Sequence, residues 1–415
     1  MKDLPPTPAS TLDRCRACDS AKLILFLPMG DHPPANMFVA PDQRDDPQPA
    51  FPLNTQACLG CGMIQVADQI PADFFRHYLY VPSSARTMHG HFENLATVLV
   101  GRAGGGLIVD IGCNDGLMLG FANRMGGRTL GVDPAANLAE AAARDGVDVH
   151  VAYFSVATAA ELVARHGKAR VISTTNTLNH IGDLMGFMQG IDLLMAEDGW
   201  FVIEVPWALE ILRTNEFDNV YHEHMSEMSL RAVCRLAERS GMAVVDVTRL
   251  PVHGGSMRVF VRKKSVAGRP SDEVRRMLQA EVEIGMCDAQ SFRAFADRVH
   301  GIGGELRQML AGLKRDGARI AGYGAPAKGN TLLNFFDIGP EVLDYLVDRN
   351  PLKQNLLSPG RHIPIHDPNV LEDDPPDYLL VLAWNFFDEI REQLAGFEAA
   401  GGRFILPLPT PRIVP

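Results

Sequence analysis

Beyond about residue 100, short apolar runs alternate with stretches of helical period. LIVDIG, RTLGVD, VDVHVA, RVISTT, WFVIEV, AVVDVTRL and SMRVFVRK read as strands in that order. Strands separated by helical stretches predict βαβ units and a largely parallel, doubly wound sheet. Two amphipathic helical stretches follow, the second spanning about 292–314. The alternation then returns in RIAGYG, LDYLVD, DYLLVL and RFILPL. The expected fold class is α/β. It comprises a small N-terminal domain over residues 1–75, a central Rossmann-like sheet over 76–265 and a second Rossmann-like α/β domain over 266–415.

Ligands of doubly wound sheets sit beyond the C-terminal ends of the strands, so the residues after each apolar run carry the most information. Asp110 lies within the first run, and Gly112, Asn114 and Gly116 turn the chain toward a helix. Glycine permits positive φ and close backbone approach, and a helix start offers free N–H groups. The turn lacks the third glycine of the dinucleotide fingerprint and the Gly-Lys-Ser/Thr that holds a triphosphate. Asp133 and Pro134 end the second run, where a ribose would lie, and Asn176 follows a later one. Together they suit an adenosine ligand without a pyrophosphate: S-adenosylmethionine fits better than NAD or ATP. A tight turn that binds nothing is the competing reading.

Seven cysteines, an odd number, include two C-x-x-C pairs, Cys15 with Cys18 and Cys58 with Cys61. Four thiolates in two such pairs are the usual ligand set of structural Zn2+. The stretch between the pairs, GDHPPANMFV and the acidic residues after it, is expected to loop out, with His32 a loop residue. Such cysteine usage suits a reducing compartment. Hydrophobic residues at 46% and charged residues at 21% are ordinary for a globular protein. A formal charge of −11 offers no broad basic field for a nucleic acid polymer, and no apolar run is long enough to span a membrane. The expectation is a cytoplasmic, monomeric enzyme.

The densest polar stretch, NEFDNVYHEHMSEMSL, sets Tyr221, His222, Glu223 and His224 in a row. Histidines two apart do not make the H-E-x-x-H metal pattern. Acid/base chemistry needs only one histidine and a neighbour that fixes its tautomer, and Tyr221 and Glu223 are candidates for that neighbour. A solvated polar loop is the alternative. Tyr78 and Tyr80, in HYLYVPSS, alternate as in an extended segment and are suited to cover a polar ligand. Gly254 and Gly255, after His253, mark a bulge or a close backbone approach. A second glycine turn, GYGAPAKGN, holds Gly324, Ala325, Lys328 and Asn330, and lysine beside a helix start suits a diphosphate. Asp348, Arg349 and Trp384 lie at further strand ends. Pure scaffolding is the competing reading of this last domain.

CRAC, CLGCG, HYLYVPSS, VDIGCNDG, NTLNH, YHEHMS, HGGSMR, GYGAPAKGNTLLN, DRNP, PGRHIPI, LAWNF and PLP, in that order, closely resemble the sugar-nucleotide C-methyltransferases. The resemblance covers nearly the whole chain. It implies an N-terminal zinc-binding domain, an S-adenosylmethionine-dependent core and a C-terminal domain that binds a nucleotide-linked ketosugar, most often dTDP-linked. It further implies methylation at C3, beside a C4 ketone, through an enolate. His224 falls on the family's base; Tyr221, Glu223 and His180 would orient it or stabilise the enolate, with Tyr78 or Tyr80 packed over the site. The chain departs from the pattern after YHEH, where Met225, Ser226, Glu227 and Met228 replace Leu-Ser-Tyr-Phe, and at Asn355, where glycine is common. Competing functions are O- or N-methyl transfer and a non-catalytic or dehydrogenase-like nucleotide-binding protein.

Overall fold

The structure is a computed structural model that describes residues 11–68 and 86–414. Tyr78 and Tyr80 lie outside the described residues.

Three N-terminal strands, β1 (Leu23–His32), β2 (Phe51–Cys58) and β3 (Ile64–Val66), pair antiparallel. The alternating part of the chain then begins with α1 (Arg86–Ala103), β4 (Leu107–Ile111), α2 (Leu117–Arg124) and β5 (Arg128–Asp133). It continues through α3 (Ala136–Arg144), β6 (Val149–Val151), α4 (Val156–His166) and β7 (Ala169–Thr175). After α5 (Leu184–Leu194), β8 (Met195–Pro206) and α6 (Ala208–Thr214) comes a two-residue strand, β9 (Ser226–Glu227). Helix α7 (Leu230–Arg239) precedes β10 (Met242–Leu250) and β11 (Ser256–Lys263).

The central sheet has seven strands in the order β10-β11-β8-β7-β4-β5-β6. Strand β11 is antiparallel to both its neighbours, so a lone reversed strand interrupts an otherwise parallel sheet. Strand order reverses between β4 and β7, which opens a crevice at their C-terminal ends. Its central strand β4 is buried at every position because both faces are covered, as expected in a parallel sheet. One buried ionic cluster ties α1 to this sheet: Glu204 pairs with His91 and, at 2.9 Å, with Arg258 Nε.

Two helices, α8 (Asp272–Glu283) and α9 (Ala289–Arg315), lead to the last domain. Phe292 and Phe295 of α9 pack on Phe26 of β1, with ring centroids 5.0 and 6.0 Å apart. Then come β12 (Ile320–Tyr323), α10 (Ala327–Phe335), β13 (Leu346–Val347), β14 (Ile365–His366), β15 (Tyr378–Val381), β16 (Arg403–Leu406) and β17 (Arg412–Val414). They form a six-stranded sheet in the order β14-β13-β12-β15-β16-β17, parallel except at β17. Here the order reverses between β12 and β15, so the GYGAPAKGN turn opens a second crevice.

The stretch between the two cysteine pairs does not loop out. Val39 and Leu357 exchange backbone hydrogen bonds of 3.0 and 2.8 Å, and Gln48 Oε1 accepts the Gly360 N–H at 2.7 Å. Lys353 Nζ stands 5.3 Å above the Phe38 ring. The C-terminal domain offers it backbone partners that its own polarity does not reveal. His32 is likewise no loop residue: it is buried at the end of β1, its ring nitrogen 3.0 Å from the Met29 carbonyl.

Strand β9 leaves the central domain and joins the N-terminal sheet, pairing antiparallel with β3. The start of α7 behind it is fixed by buried Glu281, whose carboxylate accepts the N–H groups of Leu230 and Arg231 and the indole N–H of Trp207 at 2.8 Å. Replacing Glu281 by alanine strands three buried donors. Glu281→Ala should cost about 3 kcal/mol in urea unfolding; an unchanged midpoint would show that water replaces the carboxylate.

Candidate active site

At the first crevice the chain turns after β4 through Gly112, Asn114 and Gly116, with φ of 75°, 52° and 77°. A Cβ on Gly112 would strike the Thr177 side chain, so glycine here lets the turn after β4 lie against the turn after β7. Asp133 closes the loop: its two oxygens accept the N–H groups of Asn114 and Ala135, each at 2.9 Å. Exposed Pro134 follows it. Asp110 is buried and receives the Ser173 hydroxyl at 2.7 Å; desolvation pushes its carboxyl up to about 7. Asn176 is left-handed (φ 52°), and its Oδ1 is buried without a partner, as are both amide atoms of Asn179. Buried polar atoms left open beside an acidic, amide-lined turn fit an adenosyl ligand with ribose hydroxyls and an amino-acid tail.

The YHEH run turns back on itself, which resolves its two histidines. Tyr221 hydroxyl and His224 Nε2 are 2.6 Å apart and the rings stack at 4.1 Å, while His224 Nδ1 lies 3.1 Å from Glu227 Oε1. His180 meets the His224 ring edge-on at 4.8 Å. Burial lowers both His180 and His224 to about 3, aided at His224 by the charge of Lys328, so both rings are neutral at pH 7. His222 faces the other way, its Nε2 3.2 Å from the Pro52 carbonyl and its ring edge-on to Phe51. Glu223 turns toward the N-terminal segment, where Asn36 Nδ2 donates to it at 2.8 Å; burial pushes its carboxyl up to about 7. Glu227 was not among the residues singled out as a site, although its i+3 spacing from His224 was a usable signal.

The second glycine turn is divided in its roles. Asp348 serves the turn itself, accepting the Ala325 N–H at 2.7 Å and pairing with Lys353 at 3.5 Å. Gly324 takes φ of 86°, and Arg349 is exposed nearby. Asn330 donates to the Ala35 carbonyl at 2.8 Å, and the Trp384 indole donates to Asp218 of the central domain at 2.9 Å. Lys328 points inward. Its Nζ is buried without a hydrogen-bond partner, 5.8 Å from the Trp384 ring, and its charge bears on Glu216, Asp218, His224, Glu227 and His253. The structure therefore brings Lys328, from the last domain, to the histidines of the central one. The Gly254–Gly255 pair is a close packing against Glu216 and Glu210. It leaves His253 in a left-handed conformation (φ 53°) with Nε2 buried and unpartnered, a candidate that the glycines only hinted at.

The four cysteine sulfurs lie within 4.8 Å of one another, with Cys15–Cys61 at 3.6 Å and Cys18–Cys58 at 3.5 Å. A tetrahedron of Zn–S bonds near 2.3 Å needs sulfurs about 3.8 Å apart, so the set fits zinc. Backbone N–H groups of Cys18 and Gly60 point at sulfur, which suits thiolates. Arg16, inside the first knuckle, donates to the Met225 carbonyl at 2.6 Å and the Val66 carbonyl at 3.0 Å. Ser229 donates to the Cys61 carbonyl at 2.6 Å. The metal-binding knuckles thus clamp both ends of the segment that follows His224.

A doubly wound sheet of this order, with acidic residues near the ends of its first two strands, defines the central domain as a fold of the S-adenosylmethionine-dependent methyltransferases. Residues 88–247 match a methyltransferase domain family, residues 15–75 a zinc binding domain and residues 251–409 a C-methyltransferase C-terminal domain. The C-methyltransferase NovU of Streptomyces niveus is 36% identical over 407 residues, 97% of each chain. The chain belongs to this family of C-methyltransferases. Two solved structures are similar in part. Magnesium protoporphyrin IX methyltransferase of Synechocystis PCC 6803, with bound S-adenosylhomocysteine, is 12% identical over 42% of this chain and 83% of that one, with a TM-score of 0.34. The CcbJ methyltransferase of Streptomyces caelestis is 12% identical over 43% and 90%, also with a TM-score of 0.34.

Because the knuckles hold the backbone after His224, losing the metal reaches the site. Cys58→Ser should lower bound zinc well below one per chain and lower the melting temperature; an unchanged metal ratio by atomic absorption would count against the four-thiolate site.

Proposed function

We propose that the protein methylates the carbon next to the ketone, at C3, of a nucleotide-linked 4-keto-deoxysugar, dTDP being the nucleotide. The observation that carries this reading is the buried Tyr221–His224 pair beside the unpartnered ammonium of Lys328. A base next to a fixed positive charge is what a carbon acid needs, since the proton leaves as negative charge builds on the ketone oxygen. Transfer to oxygen or nitrogen forms no enolate and needs no such charge beside the base. The likeness to a C-methyltransferase supports carbon as the acceptor.

S-adenosylmethionine, when bound, supplies an electrophilic methyl group on a sulfonium. Asp110, Gly112, Asn114, Gly116, Asp133, Pro134 and Asn176 would hold it against the turn after β4. His224 is kept neutral by burial, so its nitrogen is free to take the C3 proton. Tyr221 donates to Nε2 and thereby keeps that atom an acceptor until the substrate arrives. His180 and Glu223 hold the segment's shape. Lys328 stabilises the enolate oxygen, more strongly in a dry site than in water. Gly324, Ala325, Asn330, Asp348, Arg349 and Trp384 line the second crevice for the nucleotide-diphosphate end of the substrate. No helix among the described residues is long and apolar enough to cross a membrane, and the work proposed is cytoplasmic.

Mass spectrometry after incubation with S-adenosylmethionine and a panel of dTDP-, GDP- and CDP-linked 4-ketosugars tests the reading. It expects a gain of one methyl group on carbon; methylation on oxygen or nitrogen, or none with any sugar, would overturn it. His224→Asn should lose methyl transfer and C3 deuterium exchange by 100-fold or more. Its S-adenosylhomocysteine binding, read by thermal shift, should persist. Retained exchange would move the base to Tyr221 or His180.

A further inference from the structure

We propose that Glu227 is the positioning residue behind His224, holding its Nδ1–H and receiving that proton when the ring removes hydrogen from the substrate carbon. The inference rests on the enolate reading above and deepens it. Its geometric basis is a chain of three groups, Tyr221 hydroxyl, His224 imidazole and Glu227 carboxyl, joined at 2.6 and 3.1 Å. Glu227 is 1% exposed, and its Oε2 has no hydrogen-bond partner. An ionisable group so placed is costly to bury, and the N-terminal sheet holds it there: β9 pairs with β3 through Ile64 and Glu227. Arg16 fixes the backbone two residues before it.

The groups around Glu227 decide where the proton rests. Strand β3 presents Ile64 and Gln65, which do not titrate. His180 comes from the turn after β7, Lys328 from α10, and Glu216, Tyr221 and His224 from the stretch between α6 and β9. Desolvation pushes the Glu227 carboxyl up to about 8, with Lys328 pulling against it, while burial keeps His224 near 3. A proton shared between the two therefore settles on the carboxyl.

The step balances without any further reactant. The substrate C–H bond breaks, its proton goes to Nε2, and its electron pair becomes the enolate. The Nδ1 proton passes to Glu227 Oε1, so the imidazole stays neutral and one negative charge moves from Glu227 to the enolate oxygen. Both positions lie in the field of Lys328. When the enolate forms its bond to the methyl carbon, the methyl–sulfur bond breaks; Glu227 then returns its proton to Nδ1 while the Nε2 proton leaves to water, which restores the starting tautomer.

Glutamine keeps an oxygen for Nδ1–H but cannot take the proton, so Glu227→Gln separates holding from proton transfer. The readout is deuterium exchange at C3 of the accepted ketosugar in D2O, with the full-length protein and S-adenosylhomocysteine. Wild type should gain about tenfold per pH unit up to about 8, where Glu227 ionises, and then level off. Glu227→Gln should lose exchange about 100-fold or more and lose that rise; Glu227→Asp should restore part of both. The fold is checked by melting. A carboxyl whose folded pKa is raised costs stability as pH rises from its unfolded value to its folded one, so the Gln variant should match wild type near pH 4 and melt higher at pH 9. Exchange by Glu227→Gln within threefold of wild type, with the same pH rise, overturns the inference alone. Methylation by wild type without any C3 exchange overturns the enolate reading and this inference together.

Discussion

The antiparallel pairing of β3 with β9 is short, two residues on each side, yet the site depends on it. It takes the segment that follows His224 out of the central domain and makes it the edge of the cysteine-bearing sheet. Arg16 and the Cys61 carbonyl then hold the same segment from either end. A loop rich in polar side chains cannot stay buried unless its backbone groups find partners, and here the partners come from a different part of the chain. The thiolate cluster is therefore part of the architecture that holds the YHEH segment, although among the described residues its sulfurs bond only within the knuckles. Metal binding supplies stiffness where the small sheet has too little core of its own to supply it.

The electrostatics follow from that burial. Glu216, Asp218, Glu223 and Glu227 all carry carboxyls raised by desolvation, three of them within the influence of Lys328. His180, His224 and His253 are all depressed. Such opposed shifts in one crevice bring its acids and bases closer together in proton affinity than they are in water. Trp384 joins the set by donating to Asp218, so the last domain contributes a ring and an ammonium to a crevice of the central one.

Much of this was legible in the chain. Periodicity exposed both sheets because a strand covered on both faces is a continuous apolar run, and the glycine turns marked both crevices. The cysteine spacing identified the metal site because thiolate geometry is stereotyped. Three things were hidden. The destination of the stretch between the cysteine pairs depended on Leu357 and Gly360, more than 300 residues from Gln48. Glu227 stood out only as a departure from the family pattern, because a two-residue strand has no period to show that β3 would bury it. His222 and His224 look alike in sequence, and only the turn between them sends one to Pro52 and the other to Tyr221. In each case the deciding contact is long-range or reverses direction within a few residues, where local pattern has no content.

Residues 33–36 link all three parts of the chain: Ala35 receives Asn330 of the last domain, and Asn36 reaches Glu223 beside the histidines. Such a stitch makes the protein a poor subject for shuffling. A zinc module borrowed from a relative would bring its own version of this loop, and it would fit only a recipient whose YHEH and GYGAPAKGN segments had changed in step. The geometry therefore ties the three parts together as one block: a change at any of these contacts asks for a matching change in the other two.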